Sequence, residues 1–173
     1  PVTLLVAQVR PICMKRILRE AVSLGVEKII VSGTDTGERS YRDAKLWKRG
    51  EYLEYVLSGA QQAGSAAVPA VEQFSSLDST LRTLVIDSKN GIETPVSVVL
   101  DNIDQDARLS GMVFPEGRHY LLAIGPERGW SDRERVLFRK AGFLSAGLGS
   151  RILRTETACT AGLTLLLSRV GII

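Results

Sequence analysis

Histidine occurs once in the 173 residues, at His119, and no Cys, Asp or Glu stands beside it at ligand spacing. A metal centre is therefore not expected. Cysteine occurs twice, at Cys13 and Cys159, each among apolar neighbours in a segment of helical periodicity. With no ligand spacing between them, the expectation is two buried, reduced thiols in a cytosolic, cytoplasmic protein. No apolar run approaches the ~20 residues of a membrane span, and no charged-then-apolar leader opens the chain, so a soluble, unexported protein is expected. The loop Gly33-Thr-Asp-Thr-Gly37 has three residues between its glycines and lacks the Gly-Lys-Ser/Thr ending of a phosphate-binding P-loop. Internal repeats and low-complexity tracts are also missing. Net charge is small: +3 with a pI of about 9.1 permits a polyanionic partner without requiring one.

Apolar residues make up 45% of the chain, enough to bury a core in one domain spanning residues 1–173. Pro1 to Val9 reads as a buried strand ended by Arg10-Pro11, and Met14, Ile17, Leu18, Ala21 and Val22 then repeat at helical spacing. Gly25 is placed as a left-handed cap before a second strand, Val26 to Ser32. A helical stripe from Leu46 to Gln62 puts Trp47 in the core rather than on a base-stacking platform. Val68 to Phe74 reads as a strand, Ser75 to Leu81 as a short helix capped by Ser75 or Ser76, and Leu84 to Ile86 as another strand. Ser88 to Gly117 carries little pattern beyond a candidate strand at Pro95 to Leu100. This alternation argues for an α/β fold: a mainly parallel sheet with helices on both faces.

The densest information lies between Tyr120 and Arg169. A buried strand, Tyr120 to Ile124, breaks into Gly125-Pro-Glu-Arg-Gly-Trp130, and Ser131 with Glu134 form a capping box for a helix over Asp132 to Ala141, its apolar side supplied by Val136, Leu137 and Phe138. Trp130 reads as a staple at that helix entry. A second strand, Phe143 to Leu148, runs into Gly149-Ser-Arg-Ile-Leu-Arg154 and then an apolar helix from Ala158 to Val170. Strand, glycine loop and helix thus occur twice. Two such loops at the carboxyl ends of neighbouring strands predict a ligand crevice lined largely by backbone.

The segments Ile124-Gly-Pro-Glu-Arg-Gly-Trp-Ser131 and Leu148-Gly-Ser-Arg-Ile-Leu-Arg-Thr-Glu-Thr-Ala158 resemble the two signature motifs of the RsmE family. That family belongs to the SPOUT superfamily and methylates N3 of a uridine in small-subunit ribosomal RNA with S-adenosylmethionine. The resemblance implies a C-terminal trefoil knot and a homodimer built around the knot and the last helix, which is apolar on more than one side. It implies a cofactor held by Ile124, Gly125, Pro126, Glu127, Leu148, Gly149, Ile152 and Leu153. Catalysis would then consist of aligning N3 with the methyl group and removing the N3 proton. Arg154 is the candidate for stabilising the anionic base, and Glu156 for orienting an arginine or accepting a proton. Glu156 reads equally as a favourable acid at a helix start. Glu38-Arg39-Ser40 resembles a family segment on the substrate side, so Glu38, Arg39 and Arg151 are expected to bind RNA.

The pattern departs from the family at several points. Arg128 stands where a glycine is usual, Gln62 to Pro69 lacks an arginine, and Ser23 replaces a common glutamate. Family members also carry an amino-terminal PUA-like domain, whereas Pro1 begins where the catalytic domain begins. Two other readings remain open. One is a SPOUT methyltransferase with a different RNA target, although Thr155-Glu-Thr-Ala differs from the Ser-Leu-Asn pattern of the ribose-methylating tRNA group. The other is a non-catalytic RNA-binding or dimerisation module.

Overall fold

Strand β1 (Val2–Ala7) is buried along its whole length, as an uninterrupted apolar run requires in a parallel sheet. In this computed structural model, which describes residues 1–173, β1 is flanked in parallel by β2 (Lys28–Ser32) and β6 (Tyr120–Ile124). Leu5 lies opposite Ile30 on one side and Ala123 on the other. Adding β3 (Ala70–Phe74), β4 (Val96–Leu100), β5 (Ala107–Arg108) and β7 (Leu144–Gly147) gives the order β3-β2-β1-β6-β4-β7-β5, with every pair parallel.

Helices cover both faces. On one, α1 (Pro11–Ser23), α3 (Tyr52–Gln62) and α6 (Thr155–Arg169) close a core that includes Leu4, Met14, Ile17, Val56, Leu122 and Leu163. On the other, α4 (Leu77–Lys89) and α5 (Asp132–Lys140) pack Leu77, Leu81 and Phe138 against Leu5, Ile30 and Leu121. Each fully buried Leu or Ile contributes about 1.5–3 kcal/mol. Gly162 brings α6 against the sheet, because a Cβ there would lie 2.8 Å from Leu100 Cδ1 and 3.1 Å from Leu122 Cδ2.

Three local expectations are corrected. Leu84 to Ile86 is not a strand but part of α4, which the Ser76–Ser79 capping box starts and whose buried stripe of Leu77, Thr80 and Leu81 leaves Val85 and Ile86 exposed. The β-branched pair imitated a strand, and helical spacing prevailed. The stripe from Leu46 to Gln62 is two helices, α2 (Lys45–Lys48) and α3, divided at Gly50, whose φ of +71° ends a helix turn. Trp47 is buried against Tyr52 nonetheless, with ring centroids 5.4 Å apart. In α5, Phe138 is buried but Val136 is exposed. No helix is long and apolar enough to cross a membrane.

Candidate functional site

The carboxyl ends of the parallel strands all open on one edge of the sheet, and two cavities lie there. The first, of about 60 Å³, is lined by Leu100, Asp101, Asn102, Ile124, Gly125, Leu148, Arg151, Leu153, Thr155 and Ala158. The loops after β6 and β7 therefore do meet. They are not the ends of neighbouring strands, however: β4 runs between β6 and β7 and adds Leu100, Asp101 and Asn102 to the wall. These three were missed because their stretch of sequence carries no motif.

Local geometry explains the shape of this cavity. Trp130 is buried, donates from Nε1 to the Leu100 carbonyl at 3.0 Å, and packs edge-on against Phe138 at 4.7 Å. Its indole lies over Gly125, where a Cβ would sit 3.1 Å from the ring, so glycine lets the tryptophan close on the loop. Trp130 is thus more than a helix staple: it ties the β6 loop to β4. Thr155 Oγ1 donates to the Gly125 carbonyl at 3.3 Å, joining the start of α6 to the same loop. Gly149 adopts φ +141°, a conformation that a side chain would strain. Asp101, with its side chain 5% exposed, is held by Arg135 at 2.5 Å and caps the Ile103 amide at 3.1 Å. This partner holds the Arg135 guanidinium above its usual pKa.

Around this cavity the expected residues distribute unevenly. Ile124, Gly125, Leu148, Leu153 and Arg151 line it. Pro126, Glu127, Gly149 and Ile152 lie on the same two loops but off the lining, and Ile152 is 81% exposed. Arg154 is exposed as the N-cap residue of α6. Glu156, in the first turn of α6, is half-buried beside Cys13. Burial first, and that carboxylate second, push the Cys13 thiol up. Burial likewise raises the Cys159 thiol. Glu38 and Arg39 belong to neither loop: they line the second cavity, so the three residues expected to bind substrate are split between the two.

That second cavity, of about 270 Å³, lies over the ends of β1, β2 and β3 and is lined by Gln8, the loop from Gly33 to Arg42, and Phe74 to Ser76. Its loop is anchored to α5. Asp35 accepts from Arg133 at 2.7 and 2.9 Å and from Ser131 Oγ at 2.6 Å, while Arg133 also pairs with Asp78 at 2.9 Å. The fully buried Glu134 accepts from the Asp35 and Ser131 amides, both at 2.9 Å. Burial raises the Glu134 pKa against these two bonds. Thr36 Oγ1 donates to the Gly129 carbonyl at 2.7 Å. The capping box of α5 thus joins the loops of both cavities.

His119 stands at the opposite end of the strands, 2.9 Å from Thr3 Oγ1, with its pKa lowered by burial. No group of three or more His, Cys, Asp or Glu is placed to hold a metal ion.

Residues 1–167 match a family model described as an RNA methyltransferase domain. The chain is 34% identical to Ribosomal RNA small subunit methyltransferase E of Treponema pallidum over 97% of its own length and 62% of the relative's. It is 26% identical to Ribosomal RNA small subunit methyltransferase E 1 of Borreliella burgdorferi, over 91% of this chain and 63% of that one. The crystal structure of a Ribosomal RNA small subunit methyltransferase E from Neisseria gonorrhoeae, bound to S-adenosyl methionine, superposes with a TM-score of 0.80 at 26% identity, covering 96% of this chain and 65% of that one. The chain thus spans a little under two thirds of the length of these relatives.

Proposed function

Because the chain belongs to the RNA methyltransferase domain family over residues 1–167, we propose that it transfers a methyl group from S-adenosylmethionine to N3 of a uridine in small-subunit ribosomal RNA. The observation that carries this reading is the meeting of the loops after β6 and β7 in one cavity whose walls are backbone and aliphatic side chains. Leu100, Ile124, Leu148, Leu153 and Ala158 offer a flat base apolar contact on several sides, and the Gly125 loop offers unobstructed backbone. The relative from Neisseria gonorrhoeae binds the same cofactor on the same fold. At about 60 Å³ the slot is smaller than the roughly 300 Å³ at which ligand sites begin. Binding therefore parts the two loops or leaves much of the ligand projecting from them, with Pro126, Glu127, Gly149 and Ile152 at the rim.

The cofactor supplies an electrophilic methyl on a sulfonium. The protein's part is to hold the pyrimidine in line with it and to favour loss of the N3 proton. Arg154, exposed where α6 begins, is the guanidinium proposed to stabilise the anionic base, with Arg151 beside the slot positioning base or phosphate. Glu156 orients an arginine or takes the proton. Glu38 and Arg39 contact RNA from the second cavity. The trefoil knot, homodimerisation through α6 and a cytoplasmic location complete the reading. Leu165 and Val170 of the α6 region remain only half-buried, and Ile172 and Ile173 are exposed beyond them, which supports a partner there.

The test is calorimetric titration with S-adenosylmethionine, followed by nucleoside mass spectrometry of ribosomal RNA from a deletion strain. Binding and loss of 3-methyluridine are expected. Failure to bind at millimolar ligand leaves the non-catalytic module, and binding with unchanged 3-methyluridine redirects the enzyme to another RNA target.

A further inference from the structure

The capping box at the start of α5 needs only one oxygen of Glu134, yet both are used. Oε2 accepts from the Ser131 amide at 2.9 Å and closes the box, while Oε1 accepts from the Asp35 amide, also at 2.9 Å, in a loop 99 residues away in the chain. The residue is 0% exposed. Desolvating a carboxylate costs more than a helix cap contributes, so capping alone does not account for this burial. The hydrogen bonds of Asp35 and Thr36 all run to residues 129–134: Thr36 Oγ1 donates to the Gly129 carbonyl at 2.7 Å, and the Asp35 carboxylate accepts from Ser131 and Arg133. Between Gly129 and Ser131 stands Trp130, whose indole closes on Gly125 and donates to the Leu100 carbonyl at the wall of the cofactor slot. One residue thus faces the slot, and its two neighbours hold the loop at residues 33–37.

We propose that Glu134 is a positioning residue: it makes the turn at residues 126–131 and the loop at residues 33–37 move as one body, so that S-adenosylmethionine entering the slot sets where Glu38 and Arg39 stand. At about 60 Å³ the slot is narrower than such a ligand, and the indole packed on the Gly125 loop gives way as the cofactor enters. A shift of Trp130 carries Gly129 and Ser131 with it, and through them Thr36 and Asp35. Coupling between sites travels through such contiguous bonded groups. The carboxylate is the member that an amide cannot replace. Glutamine serves equally in a capping box, but it offers one acceptor oxygen where two backbone amides donate. This rests on the methyltransferase reading and deepens it: Glu134 acts through the two loops, and cofactor binding on one side of the sheet edge prepares the RNA side.

The experiment is nuclear magnetic resonance of the ¹⁵N-labelled chain titrated with S-adenosylmethionine. In the parent, the backbone amides of Gly125, Leu148 and Leu153 are expected to shift at the slot, and those of Asp35, Thr36 and Gly37 to shift along the same binding curve. In Glu134→Gln the slot amides should still shift, with affinity within threefold of the parent, which also reports that the variant is folded, while the cofactor-induced shifts at Asp35, Thr36 and Gly37 fall at least threefold. Thr36→Val, which keeps shape and removes the other bond to the turn, should reduce the same loop shifts by a smaller factor. The proposal is overturned if the parent's loop amides stay still while the slot amides move. It is overturned equally if the loop shifts persist in Glu134→Gln, since a cofactor touching the loop directly would shift it in both proteins, or if slot and loop shifts vanish together there, which marks a merely structural residue. Should Glu134→Gln fail to fold, unchanged loop shifts in Thr36→Val have the same meaning. If S-adenosylmethionine shifts nothing in the parent, the methyltransferase reading itself falls and the proposal with it.

Discussion

The two cavities open on the same edge of the same sheet, yet they are made differently. The slot over β4, β6 and β7 is narrow, aliphatic and framed by backbone; its one buried carboxylate, Asp101, is neutralised by Arg135. The hollow over β1, β2 and β3 is wide and polar, and its loop is held through Asp35 by Arg133 of α5, which also pairs with Asp78 of α4. The first is shaped by packing around one buried ion pair, the second by charges at the surface. Replacing apolar contacts should therefore damage the slot alone, and changing ionisation should act mainly on the hollow.

The largest effect is expected from Asp101→Ala. It strands the Arg135 guanidinium, 11% exposed, beside the slot. Breaking a buried pair costs about 3–5 kcal/mol, and the lower end applies because Asp132 still reaches Arg135. Urea denaturation should show this loss, and a cost under about 1 kcal/mol would mean that the pair does not brace the wall. Next, Gly125→Leu drives a side chain into the Trp130 ring. Overpacking of this kind costs about 1–3 kcal/mol, and affinity for S-adenosylmethionine, read by calorimetric titration, should fall at least tenfold; unchanged affinity would mean that Trp130 and Gly125 do not shape the slot.

The smallest effect is titration of the clasp. Hydrogen bonds from Arg133 hold the Asp35 and Asp78 carboxyls below their usual pKa. Their contribution is present above the ordinary aspartate pKa of ~3.9 and is lost as pH falls below it toward the folded-state values. Glu134 has the opposite sign: its pKa is raised, so its share is greatest in acid and declines as pH rises through the raised value. Thermal melts in acid should therefore fall less steeply for Asp35→Asn than for the parent. Identical slopes would show that the clasp does not support the fold.

Much of this arrangement is legible in the sequence. Tyr120 to Ile124 read as a strand with the bounds observed, and the Ser131–Glu134 capping box starts α5 as its residues demand. Both signals are local. Asp101 gave none, because its partner Arg135 comes from a different element and only the fold brings them to 2.5 Å. The insertion of β4 between β6 and β7 was hidden for the same reason: a five-residue strand in a polar stretch carries no record of its neighbours.

The sheet order also sets a schedule for the newly made chain. β3, β2 and β1 leave the ribosome early and can pair among themselves, but the other edge of β1 must wait until Tyr120 to Ile124 emerges. Through that interval an aliphatic ribbon stands unpaired, and contacts between such distant segments form slowly. Translation rate and chaperone capture while Ser88 to Gly117 is being synthesised should therefore govern yield more than any change on the finished surface.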